Sequence, residues 1–131
     1  MTVRYRAWDV LAEKMIDEIL MISFVRKEII GKFSDGSTSV PLKFEDERNG
    51  EDVILMQSTD MVDRNGNVIF ECDIVKMAKD VYSEPTYYEV VRHRGGAYRL
   101  ESKQHGCELW LRHTDCEVVG NVYENKELLD A

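Results

Sequence analysis

The stretch VILMQSTDMVDRNGNVIF, residues 53–70, has an apolar segment on each side of a turn signal. Asn65 and Gly66 tolerate the positive φ angles that a tight chain reversal requires. The pattern therefore predicts a β-hairpin that joins residues 53–57, directly or through a short extension, to residues 68–70. Ile74 and Val75 follow closely and are expected to continue as the next strand.

Towards the carboxyl end, short β-forming segments are separated by turn signals about every ten residues. Asn125 is placed to cap a short helical turn over residues 126–129, because its side chain can accept a hydrogen bond from a free backbone N–H. Short strands of this kind favour a small barrel or sandwich over a parallel sheet with crossover helices. The expected strands are residues 87–92, 98–101, 109–111 and 117–123, with a hairpin turn at Gly95 and Gly96.

Towards the amino end, residues 3–8 alternate between two faces and predict a strand. Residues 18–33 are ambiguous, because their apolar spacing fits either a short helix or a buried strand; β-branched residues such as Ile29 and Ile30 favour strands. The charged loop over residues 45–52 is the best candidate for a boundary. We therefore predict a β-rich amino-terminal region, residues 1–52, and a second domain, residues 53–131.

The composition, 44% hydrophobic and 32% charged residues, is that of a globular protein. No apolar run reaches the roughly 20 residues that a membrane-spanning helix needs, and the first residues do not resemble a signal peptide. The three cysteines form no CxxC pair, so a disulfide framework is not expected. These features predict a cytoplasmic protein that does not contact the membrane.

The formal net charge of −8 does not suit general binding to phosphate backbones. Residues 92–113 nevertheless carry five lysines and arginines against two acids. Where tyrosines are interleaved with arginines, the bases of a single-stranded nucleic acid can stack on the tyrosines while the arginines neutralise its phosphates. In an ordinary sheet, by contrast, such tyrosines pack in the core and the arginines face solvent. The candidate contact residues for nucleic acid or a protein partner are Tyr87, Tyr88, Arg92, Arg94, Tyr98, Arg99 and Arg112.

The possible metal ligands are His105, Cys107, His113 and Cys116. Zinc accepts such a set, but the spacing of a zinc knuckle is missing, so we predict no metal site. Trp8 and Trp110 are expected in the core. No hydrolase, phosphate-binding or metalloprotease motif is present, and we therefore predict neither enzymatic activity nor a cofactor.

Three segments together resemble the signature of the YopX family of phage and prophage proteins. They are RYRAWD at residues 4–9 with Lys14 and Met15; LMQSTD, DRNG and IFECDIV between residues 55 and 75; and EVVGNVYEN at residues 117–125. Their order and spacing cover nearly the whole chain. The resemblance implies a phage or prophage origin and an SH3-like barrel from about residue 53 to residue 124, and it carries over no catalytic residue.

The sequence departs from the family pattern at two positions, because Asp60 and Cys72 stand where the family usually has glycine. Either these positions are not left-handed here, or Cys72 is strained. For function, we expect an accessory protein that acts through contacts with a host or phage protein; whether it does so as a monomer or as a homo-oligomer stays open in the sequence. The alternatives are a barrel that binds nucleic acid through residues 87–113 and an acidic mimic of DNA that inhibits a DNA-binding protein.

Overall fold

The computed structural model describes residues 4–46, 51–78, 83–103 and 106–130. The fold is mainly β, as predicted, and its helices are single short turns; none of those in the described ranges is long and apolar enough to cross a membrane. The strands are β1 Tyr5–Asp9, β2 Lys14–Ser23, β3 Glu28–Phe33, β4 Leu42–Lys43, β5 Val53–Val62, β6 Val68–Phe70, β7 Asp73–Met77, β8 Thr86–Arg92, β9 Tyr98–Glu101, β10 Gly106–Glu108 and β11 Glu117–Asn121.

The chain divides into two compact units, and the division lies inside β5, between Gln57 and Ser58. In the amino-terminal unit the strand order is β4-β3-β2-β1-β5, and every pairing is antiparallel. β1 lies between β2 and β5, so that Ala7 faces Ile16 on one side and Leu55 on the other. The buried core of this unit consists of Ala7, Ile16, Ile29, Phe44 and Val53.

The ambiguous residues 18–33 belong to two strands, β2 and β3, that form a hairpin. The pairing of β2 with β3 shifts register between Ile16 and Glu18 and again between Ile19 and Met21. A β-bulge of this kind inserts one residue and moves the following side chains to the other face. Two bulges in succession place Ile16, Ile19 and Ile22 at intervals of three residues. A helix would show a similar interval, so periodicity could not distinguish a helix from a strand here.

The hairpin predicted from residues 53–70 is confirmed in the carboxyl-terminal unit. The second half of β5 pairs with β6, where Ser58 faces Phe70 and Val62 faces Val68. Gly66 has a φ of 84°, the left-handed conformation that its place in the turn requires. The hairpin is closed by the backbone N–H of Asp63, which donates to the carbonyl of Asn67 at 2.9 Å.

Five further strands form an antiparallel sheet in the order β10-β9-β8-β7-β11. One face covers a core that contains Ile69, Val75, Val90, Leu100 and Leu109. The expected SH3-like barrel is not found, because within the described residues this sheet is open and its end strands, β10 and β11, do not pair with each other.

The outer side of β11 is instead bonded to the turn of the β5–β6 hairpin. The backbone N–H of Val118 donates to Oδ2 of Asp63 at 2.8 Å, and the N–H of Arg64 donates to the carbonyl of Cys116 at 3.0 Å. A sheet edge whose polar groups are satisfied in this way has no need of another strand. The hairpin turn thus occupies the place at which a closing strand would pair.

Asp63 holds this arrangement together from a buried position. Besides Val118, its carboxylate accepts the backbone N–H groups of Asn65 and Asn67, each at 2.9 Å. Burial alone would raise the pKa of Asp63, but the hydrogen bonds from Val118, Asn67 and Asn65 outweigh it, and the pKa lies below its ordinary value of 3.8. The side chain is therefore an ionised structural group that joins the hairpin to β11.

The last helical element is the 3₁₀ turn Lys126–Asp130, so the predicted helical turn is confirmed. The side chain of Asn125 has a different role from the predicted cap: its oxygen accepts the N–H of Asn121 at 3.2 Å. In return, the side-chain oxygen of Asn121 accepts the N–H groups of Tyr123 and Glu124. Gly120 leaves room for this pair, since a Cβ at that position would lie 2.3 Å from the Asn125 oxygen.

The two positions at which the family usually has glycine are both left-handed. Asp60 has a φ of 63° and Cys72 a φ of 69°. Backbone hydrogen bonds hold Cys72 in this conformation, because its N–H donates to Val90 and its carbonyl accepts from Val122. The second alternative from the sequence is therefore correct, and Cys72 is strained.

We expect Cys72→Gly to raise the free energy of unfolding by about 0.5–1 kcal/mol. Relief of the left-handed strain gains roughly 1–2 kcal/mol, and the greater freedom of glycine in the unfolded chain offsets part of that gain. Urea denaturation of wild type and variant measures the difference. Cys72→Ala is the control: it removes the thiol but keeps Cβ, so it should give no gain, and an equal gain from both variants would contradict the strain.

Candidate functional site

The basic and aromatic residues of the predicted contact segment lie on several elements. Tyr87, Tyr88 and Arg92 belong to β8, Tyr98 and Arg99 to β9, and Arg94 to the 3₁₀ turn Arg94–Gly96. Tyr88 is buried among the core residues, and this burial raises the pKa of its phenol. The hydroxyl of Tyr98 is 3.3 Å from the Glu71 carboxylate; burial, and then that negative charge, raise the pKa of Tyr98 to about 12. Tyr88 and Tyr98 are thus anchored in the carboxyl-terminal sheet.

Arg99 is paired with two carboxylates from its own sheet. Its Nε donates to Glu101 at 3.0 Å, and one of its terminal nitrogens donates to Glu108 at 2.5 Å. The hydrogen bond from Arg99 lowers the pKa of Glu101, which also lies 3.3 Å from Nε2 of His93. Arg112 is paired in the same way, because its Nε donates to Asp115 at 3.0 Å. Two of the predicted cationic contacts are therefore already neutralised within the chain.

Of the candidate metal ligands, the structure describes Cys107, His113 and Cys116, and His105 lies outside the described residues. Cys116 is buried, and burial raises the pKa of its thiol to about 11. Its Sγ donates to the carbonyl of His113 at 3.2 Å, and Nδ1 of His113 is 2.8 Å from the carbonyl oxygen of Val62. Burial also raises the pKa of Cys107. Within the described ranges, no group of three or more His, Cys, Asp or Glu is placed to hold a metal ion.

The residues for which a strand was predicted, 109–111, form a short helix, α1 Leu109–Arg112. Only Leu109 points into the core; Trp110 is 63% exposed and Leu111 56% exposed. Successive helical residues are rotated by about 100°, so a four-residue helix can bury one position while the next two face away. The prediction that Trp110 is a core residue is therefore wrong, whereas the prediction for Trp8 is confirmed, since Trp8 is 9% exposed.

Val62, at the end of β5, is a further exposed apolar side chain, 41% accessible. The contact between His113 and the Val62 carbonyl fixes the end of α1 against this strand. We refer to Trp110 and Leu111 as the Trp110 surface. A signal for this surface was present in the sequence and was missed. Three apolar residues stand between Glu108 and Arg112, and so short a segment between two charged residues cannot be buried on every side.

Comparison with known proteins supports the resemblance seen in the sequence. The family model described as YopX protein matches residues 4–130. Protein EF1440 from Enterococcus faecalis has a similar structure, with a TM-score of 0.65 and 26% identity over 98% of this chain and 99% of that chain. Protein yopX from Bacillus subtilis is also similar, with a TM-score of 0.64 and 26% identity over 95% and 96% of the two chains. No curated protein matches the sequence.

Proposed function

Because the chain belongs to the YopX family, we propose that it is a phage- or prophage-encoded accessory protein that acts in the bacterial cytoplasm by binding another protein, of the host or of the phage. The proposal assigns the chain no catalytic role, no metal and no cofactor. It concerns the carboxyl-terminal unit, in which the Trp110 surface lies.

The observation that carries the proposal is the exposure of Trp110 next to Leu111. A tryptophan buries a large apolar area when a partner covers it, and tryptophan is among the residues that contribute most to binding at protein interfaces. Leu109 is fully buried and anchors the helix, so the two exposed side chains stand on a fixed base. A partner would therefore meet them with little loss of conformational freedom.

The geometry of the basic residues supports protein binding over nucleic-acid binding. A phosphate backbone would have to displace Glu101 and Glu108, the two carboxylates that are paired with the partly buried side chain of Arg99. The net charge of −8 adds a general repulsion that the approach of a nucleic acid would have to overcome. An apolar protein surface that binds Trp110 and Leu111 would neither displace these carboxylates nor bring phosphate charges towards an acidic chain.

A photo-crosslinking amino acid at position 111 tests the proposal in cells that carry the complete phage or prophage. We expect a discrete crosslinked product of higher mass, and we expect Trp110→Ser to reduce its yield about tenfold, because the loss of a central aromatic contact costs at least 1–2 kcal/mol. The same amino acid at Val40, which is 70% exposed in the other unit, is the matched control.

An identical product pattern from positions 111 and 40, or a product from position 111 that survives Trp110→Ser, would refute the proposal. A second measurement checks that Trp110 is exposed in solution. Because Trp8 is buried and Trp110 is exposed, acrylamide should quench most of the Trp110 fluorescence and little of the Trp8 fluorescence. The Trp110→Phe variant, which keeps only Trp8, separates the two contributions.

A further inference from the structure

A second set of exposed apolar side chains lies in the amino-terminal unit, at the turn between β2 and β3. Val25 at the tip is 95% exposed and Phe24 is 53% exposed. The ring of Phe24 is held edge-on by Tyr5 and Phe44, with centroid distances of 5.9 and 6.1 Å. The hairpin tip, residues 24–27, is therefore an apolar projection with a supported base.

The tip also carries positive charge, because Arg26 and Lys27 follow Val25 directly. Arg26 is exposed, and its backbone N–H donates to Oγ of Ser23 at 3.1 Å, which shapes the turn. Lys27 lies 3.0 Å from Glu45, but both side chains are about half exposed or more, and ion pairs of that kind contribute little. The tip can thus present an apolar centre with cations beside it.

The same unit contains a cavity that is also partly apolar but carries negative instead of positive charge. Its volume is about 690 Å³, and it is lined by the turn between β1 and β2, by Leu42 and by Glu51 and Asp52. Val10, Leu11, Ala12 and Leu42 supply an apolar lining, and Leu11 is 95% exposed. Exposed Glu13 and Glu51 supply negative charge at its rim.

We propose that the hairpin tip of one copy of this chain occupies this cavity in a second copy. The cavity is large enough for side chains of the size of Val25 and Phe24, and burial of both would remove apolar surface from water on the two partners. Arg26 and Lys27 would then approach the carboxylates of Glu13 and Glu51. Contact between opposite charges fixes the orientation and excludes other partners.

The charges on the whole chain favour a second copy over an anionic membrane as the occupant of this surface. With a net charge of −8, the chain is repelled by anionic lipid beyond the small region of Arg26 and Lys27. Two copies also repel each other overall, so association requires the local complementarity that the tip and the cavity supply. The tip and the cavity both lie in the amino-terminal unit, whereas Trp110 lies in the carboxyl-terminal unit. The inference is therefore independent of partner binding at Trp110.

Two variants of the full chain test the hairpin tip and the cavity separately. The tip variant Val25→Ser/Arg26→Glu keeps the cavity, and the cavity variant Glu13→Lys/Glu51→Lys keeps the tip. In analytical ultracentrifugation, we expect the wild-type chain to associate and each variant alone to associate at least about tenfold more weakly. An equimolar mixture should associate again, because the intact tip of one variant fits the intact cavity of the other.

The charge-reversed control, Glu18→Lys/Lys32→Glu, alters exposed residues of β2 and β3 outside both surfaces and should associate as wild type does. Circular dichroism must show that all variants melt as wild type does. A wild-type chain that stays monomeric at the highest soluble concentration would overturn the proposal, and so would a mixture that remains monomeric or variants that associate normally. Trp110→Ser should leave the association unchanged, which keeps this result distinct from the test of the proposed function.

Discussion

Asp63→Ala is expected to lower the free energy of unfolding by about 3 kcal/mol, the largest effect of any single side-chain truncation in the hairpin turn. The substitution leaves the N–H groups of Asn65, Asn67 and Val118 without their acceptor. A hydrogen bond to a charged group contributes roughly 1.5–3 kcal/mol, and water that enters the turn recovers part of the sum. Urea denaturation at neutral pH, followed by circular dichroism, measures the loss.

Asp35→Ala is the matched control. Asp35 also accepts the backbone N–H two residues further on, that of Ser37, at 2.9 Å, but it lies on an exposed turn, and its side-chain hydrogen bonds to described residues stay within that turn. Its replacement should cost far less than the replacement of Asp63. Similar losses from the two variants would show that Asp63 acts only within its own turn and that its bond to β11 contributes nothing.

The contribution of Asp63 should also depend on pH. Because its pKa is lower in the folded than in the unfolded chain, the stabilisation is complete above the unfolded pKa of about 3.9 and disappears as the pH falls through the folded pKa. The difference between wild type and Asp63→Asn should therefore shrink between pH 5 and about pH 2. A difference that stays constant over this range would contradict the ionised, hydrogen-bonded state.

Gly31→Ala is expected to destabilise the amino-terminal unit by about 2–3 kcal/mol, within the range for overpacking of a core. A Cβ at position 31 would lie 2.2 Å from Cγ2 of Ile16 and 3.2 Å from the carbonyl oxygen of Glu18. Ile16 is fully buried and cannot withdraw without moving its neighbours. Thermal and urea denaturation both report the change.

The control for Gly31 is Gly106→Ala, at a second glycine on a strand. There the new Cβ would meet the ends of the Glu101 and Arg99 side chains, which can move away at little cost. A double variant, Gly31→Ala/Ile16→Ala, tests the cause: removal of Cγ2 from Ile16 should make the double change less costly than the sum of the single changes. Simple additivity would show that the clash is not the source of the loss.

The sequence was most informative where local chemistry alone determines structure. Gly66 specified the hairpin turn, because few other residues tolerate the left-handed φ of 84° that it adopts. The resemblance located Asp60 and Cys72 at positions where the structure does show positive φ. By contrast, the two bulges of β2 disguised a strand, because each bulge changes the period on which the prediction depends.

The candidate site was less predictable, since it depends on strand register. Arg99 and Glu108 come together only because β9 and β10 pair in the observed register, and no local pattern fixes that register. For this reason Arg99, which belongs to a segment that is basic in sequence, is paired with carboxylates in the folded chain. Trp110 was misplaced because large aromatic residues are usually buried, and a helix of four residues offers only one buried position.

The pairing of β1 with β5 has a consequence for synthesis of the protein. Within the amino-terminal unit, β1 leaves the ribosome before the other strands, but its partner on one side, residues 53–57, is translated last, so Tyr5 cannot pair with Gln57 until then. The early β2–β3 hairpin can form beforehand, because its contacts are close in the chain. Until β5 emerges, the nascent chain keeps one unpaired edge of β1 open, and this interval is when it is most exposed to chaperones and to aggregation.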